Sequence, residues 1–254
     1  MELNKIYNQD CLEGMKLIPD RSIDMVLCDL PYGSTSLKWD SKIDIEKFWE
    51  QIKRITKENA AICLFSQIPF GAELIMSNRK MFRYEWIWEK NVGAGFLNAH
   101  KMPLRAHENI LVFYRKLPTY NPQKTKATKG HSRSNNKVKT KCYPIRGKNL
   151  ETYVYNDDGT RFPFDVQKFK TPNTTSEKPI HSTQKPVDLC EYLIKTYTNE
   201  GEVVFDACMG SGTTAIAAIN TNRQFLGFEL EREYYEKSLE RIEFNIGRKN
   251  MEVI

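Results

Sequence analysis

Several things are scarce in this 254-residue sequence, and each shortage narrows what the chain can be. No apolar run approaches the length needed to cross a bilayer. The start, Met-Glu-Leu-Asn-Lys, has no apolar signal core. A membrane partner is therefore not expected, and the expected location is the cytoplasm. The six cysteines (Cys11, Cys28, Cys63, Cys142, Cys190 and Cys208) form no C-x-x-C pair, and three lie in apolar, strand-like runs. That argues against a zinc site or a disulfide framework and for a reduced chain without metal. No internal repeat is present.

Acidic residues are missing over one long stretch. None occurs between Glu108 and Glu151, where apolar periodicity is also lost. From Lys116 to about Thr175 the chain carries Lys124, Lys126, Lys129, Arg133, Lys137, Lys139, Lys141, Arg146 and Lys148, with Tyr120, Tyr143, Tyr153, Tyr155, Phe162 and Phe164 interleaved or following. The net charge of +6 is thus clustered rather than spread. A charge run is commonly a solvated surface. A mid-chain run with aromatics, lying between sheet elements, favours a segment that contacts nucleic acid.

On either side of that stretch the pattern alternates. Lys5 to Asn8, Ile23 to Cys28 and Ala60 to Phe65 read as strands; Cys11 to Ile18, Ile45 to Ile55 and Pro69 to Ser77 read as helices. Arg83 to Lys90 and Glu108 to Arg115 read as an antiparallel pair around a flexible loop, Asn91 to Phe96. Beyond the insert come a helix from Val187 to Tyr197, a strand from Val203 to Asp206 and a helix from Thr213 to Thr221. A strand from Gln224 to Phe228 and a helix from Tyr234 to Ile246 close the chain. Such alternation implies a parallel sheet with helical crossovers.

Two strand ends carry chemistry. The run Ile23 to Cys28 stops at Asp29-Leu30-Pro31-Tyr32-Gly33. Pro31 has no N–H and biases Leu30 to an extended conformation. A carboxylate, a free carbonyl and an aromatic ring are thereby gathered at the carboxyl end of a strand, where open α/β sheets bind ligands. Those groups suit an exocyclic amino group on a nucleobase. Asp29 and the Leu30 or Pro31 carbonyl accept its two hydrogens, and Tyr32 stacks on the base. The plain alternative is a strand followed by a proline turn.

The second strand end is Phe205-Asp206-Ala207-Cys208-Met209-Gly210-Ser211-Gly212, with Thr213 opening the next helix and Glu229 ending the next strand. An acid in that place takes ribose hydroxyls in nucleotide-type sites. No lysine follows Gly212, and Ala215 stands where a third glycine would be, so neither phosphate-loop pattern is complete. The pattern fits an adenosine without a pyrophosphate, and S-adenosylmethionine meets that description.

Taken together, the residues resemble the amino-methylating DNA methyltransferases in the β arrangement. In that family an Asp-Pro-Pro-Tyr motif comes first, a target-recognition segment next, then His-Pro-Thr-Gln-Lys-Pro, and the F-x-G-x-G turn last. Here Asp29-Leu30-Pro31-Tyr32, the basic insert, His181-Ser182-Thr183-Gln184-Lys185-Pro186 and Phe205 to Gly212 follow that order. Leu30 and Ser182 each replace a proline of the family pattern. The resemblance implies a Rossmann-like, S-adenosylmethionine-dependent methyltransferase α/β sheet, mostly parallel with an antiparallel hairpin, plus an inserted basic target-recognition segment. It divides the chain into a catalytic half (1–115), the DNA-recognition insert (116–178) and a cofactor-binding half (179–254).

Asp29, Leu30, Pro31 and Tyr32 are then the expected catalytic residues. The resemblance brings Asp29, His181, Thr183 and Lys185 to the methionine end of the cofactor. Asp206, Met209, Gly210, Ser211, Gly212 and Thr213 form its turn, Glu229 takes the ribose, and Asp10 with Cys11 lies near the adenine. Asp10 also suits a helix N-cap, and Lys185 an ordinary surface position. Asp10 and Glu229 can share a ligand only if their strands are neighbours in the sheet, and that is the expectation.

The implied activity is methylation of adenine N6 in double-stranded DNA. The implied partners are a second copy of the chain and a cognate restriction endonuclease. Cytosine-N4 methylation is the alternative, although that subfamily more often has Ser at the Asp29 position. An RNA or protein amino-group methyltransferase and a DNA-binding module without activity are further readings. Cytosine-C5 chemistry needs a thiolate nucleophile, typically on a Pro-Cys dipeptide, and the chain has none.

Overall fold

The computed structural model describes residues 1–33, 42–126, 159–172, 180 and 183–252. The described chain divides into two compact units, Met1–Asn121 with Phe164–Ile254, and Pro122–Pro163. The division falls inside the change of character at Lys116. The Lys116 N–H donates to the Glu58 carbonyl and the Asn121 N–H to the Thr196 carbonyl, which ties 116–121 to the larger unit.

The larger unit opens with β1 (Lys5–Asn8), α1 (Cys11–Met15), β2 (Ile23–Cys28), α2 (Ile45–Ile55), β3 (Thr56–Ser66) and α3 (Phe70–Ser77). A hairpin follows, β4 (Phe82–Ala94) and β5 (Arg105–Phe113). The smaller unit contributes β6 (Thr125–Lys126) and β7 (Thr160–Arg161), paired antiparallel. The chain returns through β8 (Val166–Phe169), α4 (Val187–Tyr197), β9 (Val203–Asp206), α5 (Thr213–Asn220), β10 (Gln224–Glu229) and α6 (Arg232–Glu252).

Among the described residues the main sheet has the order β1-β10-β9-β2-β3-β5-β4-β8. The five strands from β1 to β3 are parallel; β5 runs against β3, and β4 against β5. β1 lies beside β10 with Asn8 opposite Glu229, as a shared ligand requires.

The central strands are apolar throughout because both faces are covered. Met25 and Leu27 enter a core with Leu189, Leu193 and Ala215 from α4 and α5. Val26 and Cys28 enter a second core with Met15 of α1, Phe48 and Ile52 of α2 and Leu74 of α3. Helix α2 places Phe48, Trp49, Ile52 and Ile55 on one buried face, and Asp44 caps its start by accepting from the Lys47 N–H at 3.2 Å. No helix among the described residues is long and apolar enough to cross a membrane.

Several expected bounds differ from those observed. Helix α1 ends at Met15, and turns carry the chain to Ile18. β3 begins at Thr56, four residues before the apolar run. The Asn91–Phe96 segment is not wholly a loop: β4 continues to Ala94, opposite Arg105, and Phe96–Asn98 forms a 3-10 turn after Gly95 at φ +93°. β8 lies within the stretch where periodicity is lost; backbone pairing with β4 defines it, not a run of apolar side chains. Helix α6 outruns its apolar face at both ends, and at its start Arg232–Glu236 and Glu233–Lys237 pair four residues apart.

Ile52 is fully buried against the sheet. Ile52→Ala should lower unfolding free energy by about 2–5 kcal/mol, read from the urea midpoint at an unchanged slope.

Candidate functional site

A cavity of about 480 Å³ opens at the carboxyl ends of the parallel strands. Across the sheet those ends bring Asp10 after β1, Glu229 at β10, Asp206 at β9 and Asp29 after β2 to its wall. Leu30, Pro31, Tyr32, Thr183, Lys185 and the turn from Asp206 to Ser211 also line it. Residues far apart in sequence thus share one space because β2 pairs with both β3 and β9.

The turn after β9 is held from several directions. Asp206 accepts from the Cys208 N–H at 3.0 Å and from the Thr214 hydroxyl at 2.7 Å. The Met209 N–H donates to the Phe228 carbonyl. Arg241 of α6 donates to the Ser211 carbonyl at 2.9 Å and to Thr213 Oγ1 at 3.0 Å. Gly210 has φ +52°, and a Cβ there would meet nothing within 4 Å, so the turn leaves room on its cavity side. Gly212 does not line the cavity; at φ +75° it starts α5 beneath Ser238. Its part is to turn the backbone.

Both carboxylates expected on the nucleoside side serve the fold. Asp10 accepts from the Leu12 and Glu13 N–H groups at 2.8 and 3.1 Å, so it is an N-cap that also faces the cavity. Glu229 accepts from the Gly210 N–H at 2.7 Å and the Glu231 N–H at 2.8 Å. Burial pushes its carboxyl up, against the pull of those bonds. Each oxygen has a second lone pair for a ligand hydroxyl. The buried Gln9 Nε2, on the same wall, has no hydrogen-bond partner. Acids on this wall disfavour a pyrophosphate and suit a neutral or cationic nucleoside.

Asp29 is engaged on both oxygens. The Tyr32 hydroxyl donates to Oδ1 at 2.9 Å and Lys185 Nζ to Oδ2 at 2.5 Å. The Tyr32 ring lies against Phe70, centroids 5.0 Å apart. Burial, with the Asp29 carboxylate next, pushes the Tyr32 hydroxyl well above its ordinary value, so it remains a donor.

Lys185 is not a surface lysine; it is 9% exposed. Burial pulls its ammonium down, but Asp29 and Glu108 together outweigh burial and raise it. Glu108 stands 3.5 Å away and pairs with Lys90 at 2.5 Å. Gln67 donates to Glu108 at 3.0 Å, and Arg105 to Gln67 at 2.7 Å. The pattern reading missed Glu108, Lys90, Gln67 and Arg105. The signal was a charge at the inner end of each hairpin strand, which side-chain alternation alone does not flag.

Of the expected DNA contacts, Lys124 and Lys126 are exposed in the smaller unit, with the Lys124 ammonium 4.7 Å from the Phe162 ring centroid. Lys129, Arg133, Lys137, Lys139, Lys141, Arg146 and Lys148 lie outside the described residues, as does His181.

Comparison with known proteins settles the family. The sequence profile of the N6/N4 DNA methylases matches residues 23–240. The chain belongs to that family. It is 32% identical to the Type II methyltransferase M.BglII of Bacillus subtilis, over 92% of this chain and 67% of that protein. In fold, this methylase is similar to M1.HpyAVI solved with S-adenosylmethionine, at TM-score 0.64, 22% identity, and 94% and 98% coverage of the two chains. It is also similar to the cytosine-N4-specific PvuII methyltransferase, at TM-score 0.67, 14% identity, and 96% and 91% coverage. The mostly parallel sheet with its antiparallel hairpin is therefore the S-adenosylmethionine-dependent methyltransferase fold.

Burial pushes the Asp206 carboxyl up to about 6. Between about pH 4 and 6 the folded chain holds a proton that the unfolded chain has lost, so this group's contribution falls as pH rises. Asp206→Asn removes that dependence. From pH 4 to 7, urea unfolding should show the mutant gaining on the wild type, by roughly 3 kcal/mol at most.

Proposed function

We propose that this methylase transfers a methyl group from S-adenosylmethionine to the N6 amino group of adenine in double-stranded DNA. One observation carries the reading: Asp29 and Tyr32 line the same cavity as the glycine turn and Glu229. About 480 Å³ falls within the roughly 300–1,000 Å³ usual for cofactor sites. The open side of Gly210, the Gln9 Nε2 that lacks a hydrogen-bond partner, and the acids Asp10 and Glu229 suit an adenosyl group. When bound, S-adenosylmethionine supplies a methyl group on a sulfonium, which leaves as a neutral thioether as the nitrogen lone pair forms the new bond.

The protein's own groups prepare the nitrogen. An amino group conjugated with the base is a poor nucleophile and, inside the duplex, is paired and stacked, so the base must leave the helix. Tyr32 then offers its ring as a stacking surface. Asp29 accepts one N–H, and the Leu30 or Pro31 carbonyl the other, which draws the nitrogen towards a tetrahedral shape. Positive charge developing on nitrogen strengthens the Asp29 bond most in the transition state. The surplus proton passes to Asp29 and then to water.

Asp29 supports adenine, because the cytosine-N4 subfamily more often has Ser there. Cytosine N4 is the second reading, because the matching family includes both N6 and N4 methylases. Mass spectrometry of nucleosides from treated DNA should find N6-methyladenine; N4-methylcytosine would transfer the mechanism to the other base. In single-turnover assays Asp29→Ala should lower the rate by about 10²-fold or more. Tyr32→Phe keeps the ring and should stay much closer to wild type, although it removes a donor to Asp29.

The 116–178 insert is proposed to hold the DNA, with a cognate endonuclease and a second copy as further partners. Its lysines would make mainly phosphate contacts. DNA affinity should fall with salt at a log–log slope of about −0.9 per phosphate contacted. Replacing Lys137, Lys139 and Lys141 together by Ala should flatten that slope; an unchanged slope would make the run a solvated surface.

A further inference from the structure

Both oxygens of Asp29 already accept a donor. Its Oδ2 receives Lys185 at 2.5 Å and its Oδ1 the Tyr32 hydroxyl at 2.9 Å. An amino group entering the cavity meets an acceptor whose negative charge is held by an ammonium. Each Asp29 oxygen keeps a second lone pair, but the ammonium neutralises its charge, so Asp29 acts at full strength on that amino group only if Lys185 draws away. A buried ammonium cannot simply be left without a counter-charge.

A second carboxylate waits beside it. Glu108 Oε2 lies 3.5 Å from Lys185 Nζ, beyond hydrogen-bond contact for an ammonium and a carboxylate at rest. That oxygen is buried and has no hydrogen-bond partner, in a residue only 7% exposed. The other oxygen, Oε1, is fully occupied by Lys90 at 2.5 Å and Gln67 at 3.0 Å. A buried carboxylate oxygen that accepts no hydrogen bond and has only a long ion pair with Lys185 is unusual, and its persistence calls for an explanation. Here the Lys90 and Gln67 contacts fix Glu108 with its bare oxygen towards Lys185.

We propose that Glu108 is a positioning residue that receives the Lys185 ammonium when the substrate amino group takes Asp29. A movement of Nζ by about 1 Å exchanges the short contact from Asp29 to Glu108. The Lys185 main chain need not move; its carbonyl is held by the Thr213 hydroxyl at 3.3 Å. The hand-over keeps the ammonium paired throughout and satisfies Glu108 Oε2. It also exposes Asp29 Oδ2 only when a donor arrives to use it. No proton is transferred in this step. The inference rests on the acceptor role proposed for Asp29, and holds for adenine N6 and cytosine N4 alike.

The test is a double-mutant cycle on the full-length protein, read as single-turnover methyl transfer and, separately, as calorimetric binding of S-adenosylmethionine. Glu108→Gln keeps the shape and a contact to Lys90 but removes the charge that receives Lys185. It should slow methyl transfer about 10–100-fold, since small misplacements at a reacting centre cost that much, with cofactor affinity within about twofold. In a Lys185→Met background, where no ammonium holds Asp29 Oδ2, Glu108→Gln should cause no further loss. A residue that only braces the wall would give the same loss in both backgrounds, and that result would overturn the proposal, as would full activity of Glu108→Gln. Should Glu108→Gln not fold, Glu108→Asp keeps the charge but draws it back; its slowing should likewise vanish with Lys185→Met. Asp29→Ala is assayed alongside. If it is active, the acceptor role itself fails; if it is inactive while Glu108→Gln is normal, only the hand-over fails.

Discussion

A lysine buried between two carboxylates governs the architecture of this site. Lys185 reaches Asp29 from one side and Glu108 from the other, and these groups come from α4's leading edge, β2 and β5. An uncompensated charge at this depth would be costly, so the three groups must arrive together. Their elements are brought to one end of the sheet by the strand order alone. β5 begins at the end where β2 and β3 finish, because it runs against β3 with Asn109 opposite Ser66. Lys90, near the far end of β4, reaches Glu108 for the same reason.

That chain of charges also explains the division of labour within the cavity. Towards β1 and β10 the wall carries acids that hold backbone N–H groups and keep lone pairs to spare. Towards β3 and β5 it carries alternating acids and bases. One end suits a cationic nucleoside, and the other holds Lys185 between Asp29 and Glu108. Asp206, between them, is tied to Cys208 and Thr214 and keeps the glycine turn in register with β10.

Much of this was legible in the sequence where an apolar run ends on a polar residue that punctuates it. Asp29, Asp206 and Glu229 each follow such a run, and each stands at a strand end. Helices α2 and α4 match their predicted bounds because their apolar stripes repeat at 3.6 residues and stop sharply. The neighbourhood of β1 and β10 followed from the demand that Asp10 and Glu229 meet one ligand. What escaped the pattern is what backbone pairing alone decides. Glycines at 93 and 95 hide the end of β4, and β8 is an edge strand whose side chains show no run of apolar residues. Glu108 looked like the opening of a strand. Its importance depends on Lys185, 77 positions later, and no local pattern encodes that.

The place of β9 and β10 has a consequence for how the chain is made. Both strands lie between β1 and β2 in the sheet, yet they are synthesised after residue 200. A nascent chain therefore carries β2 with one edge bare, and β1 with no neighbour, until residues beyond 200 are made. Such long-range closure slows folding and leaves apolar edges open to wrong partners. The wall of the cavity that carries Asp10 and Glu229 is complete only once the last strand lies beside the first.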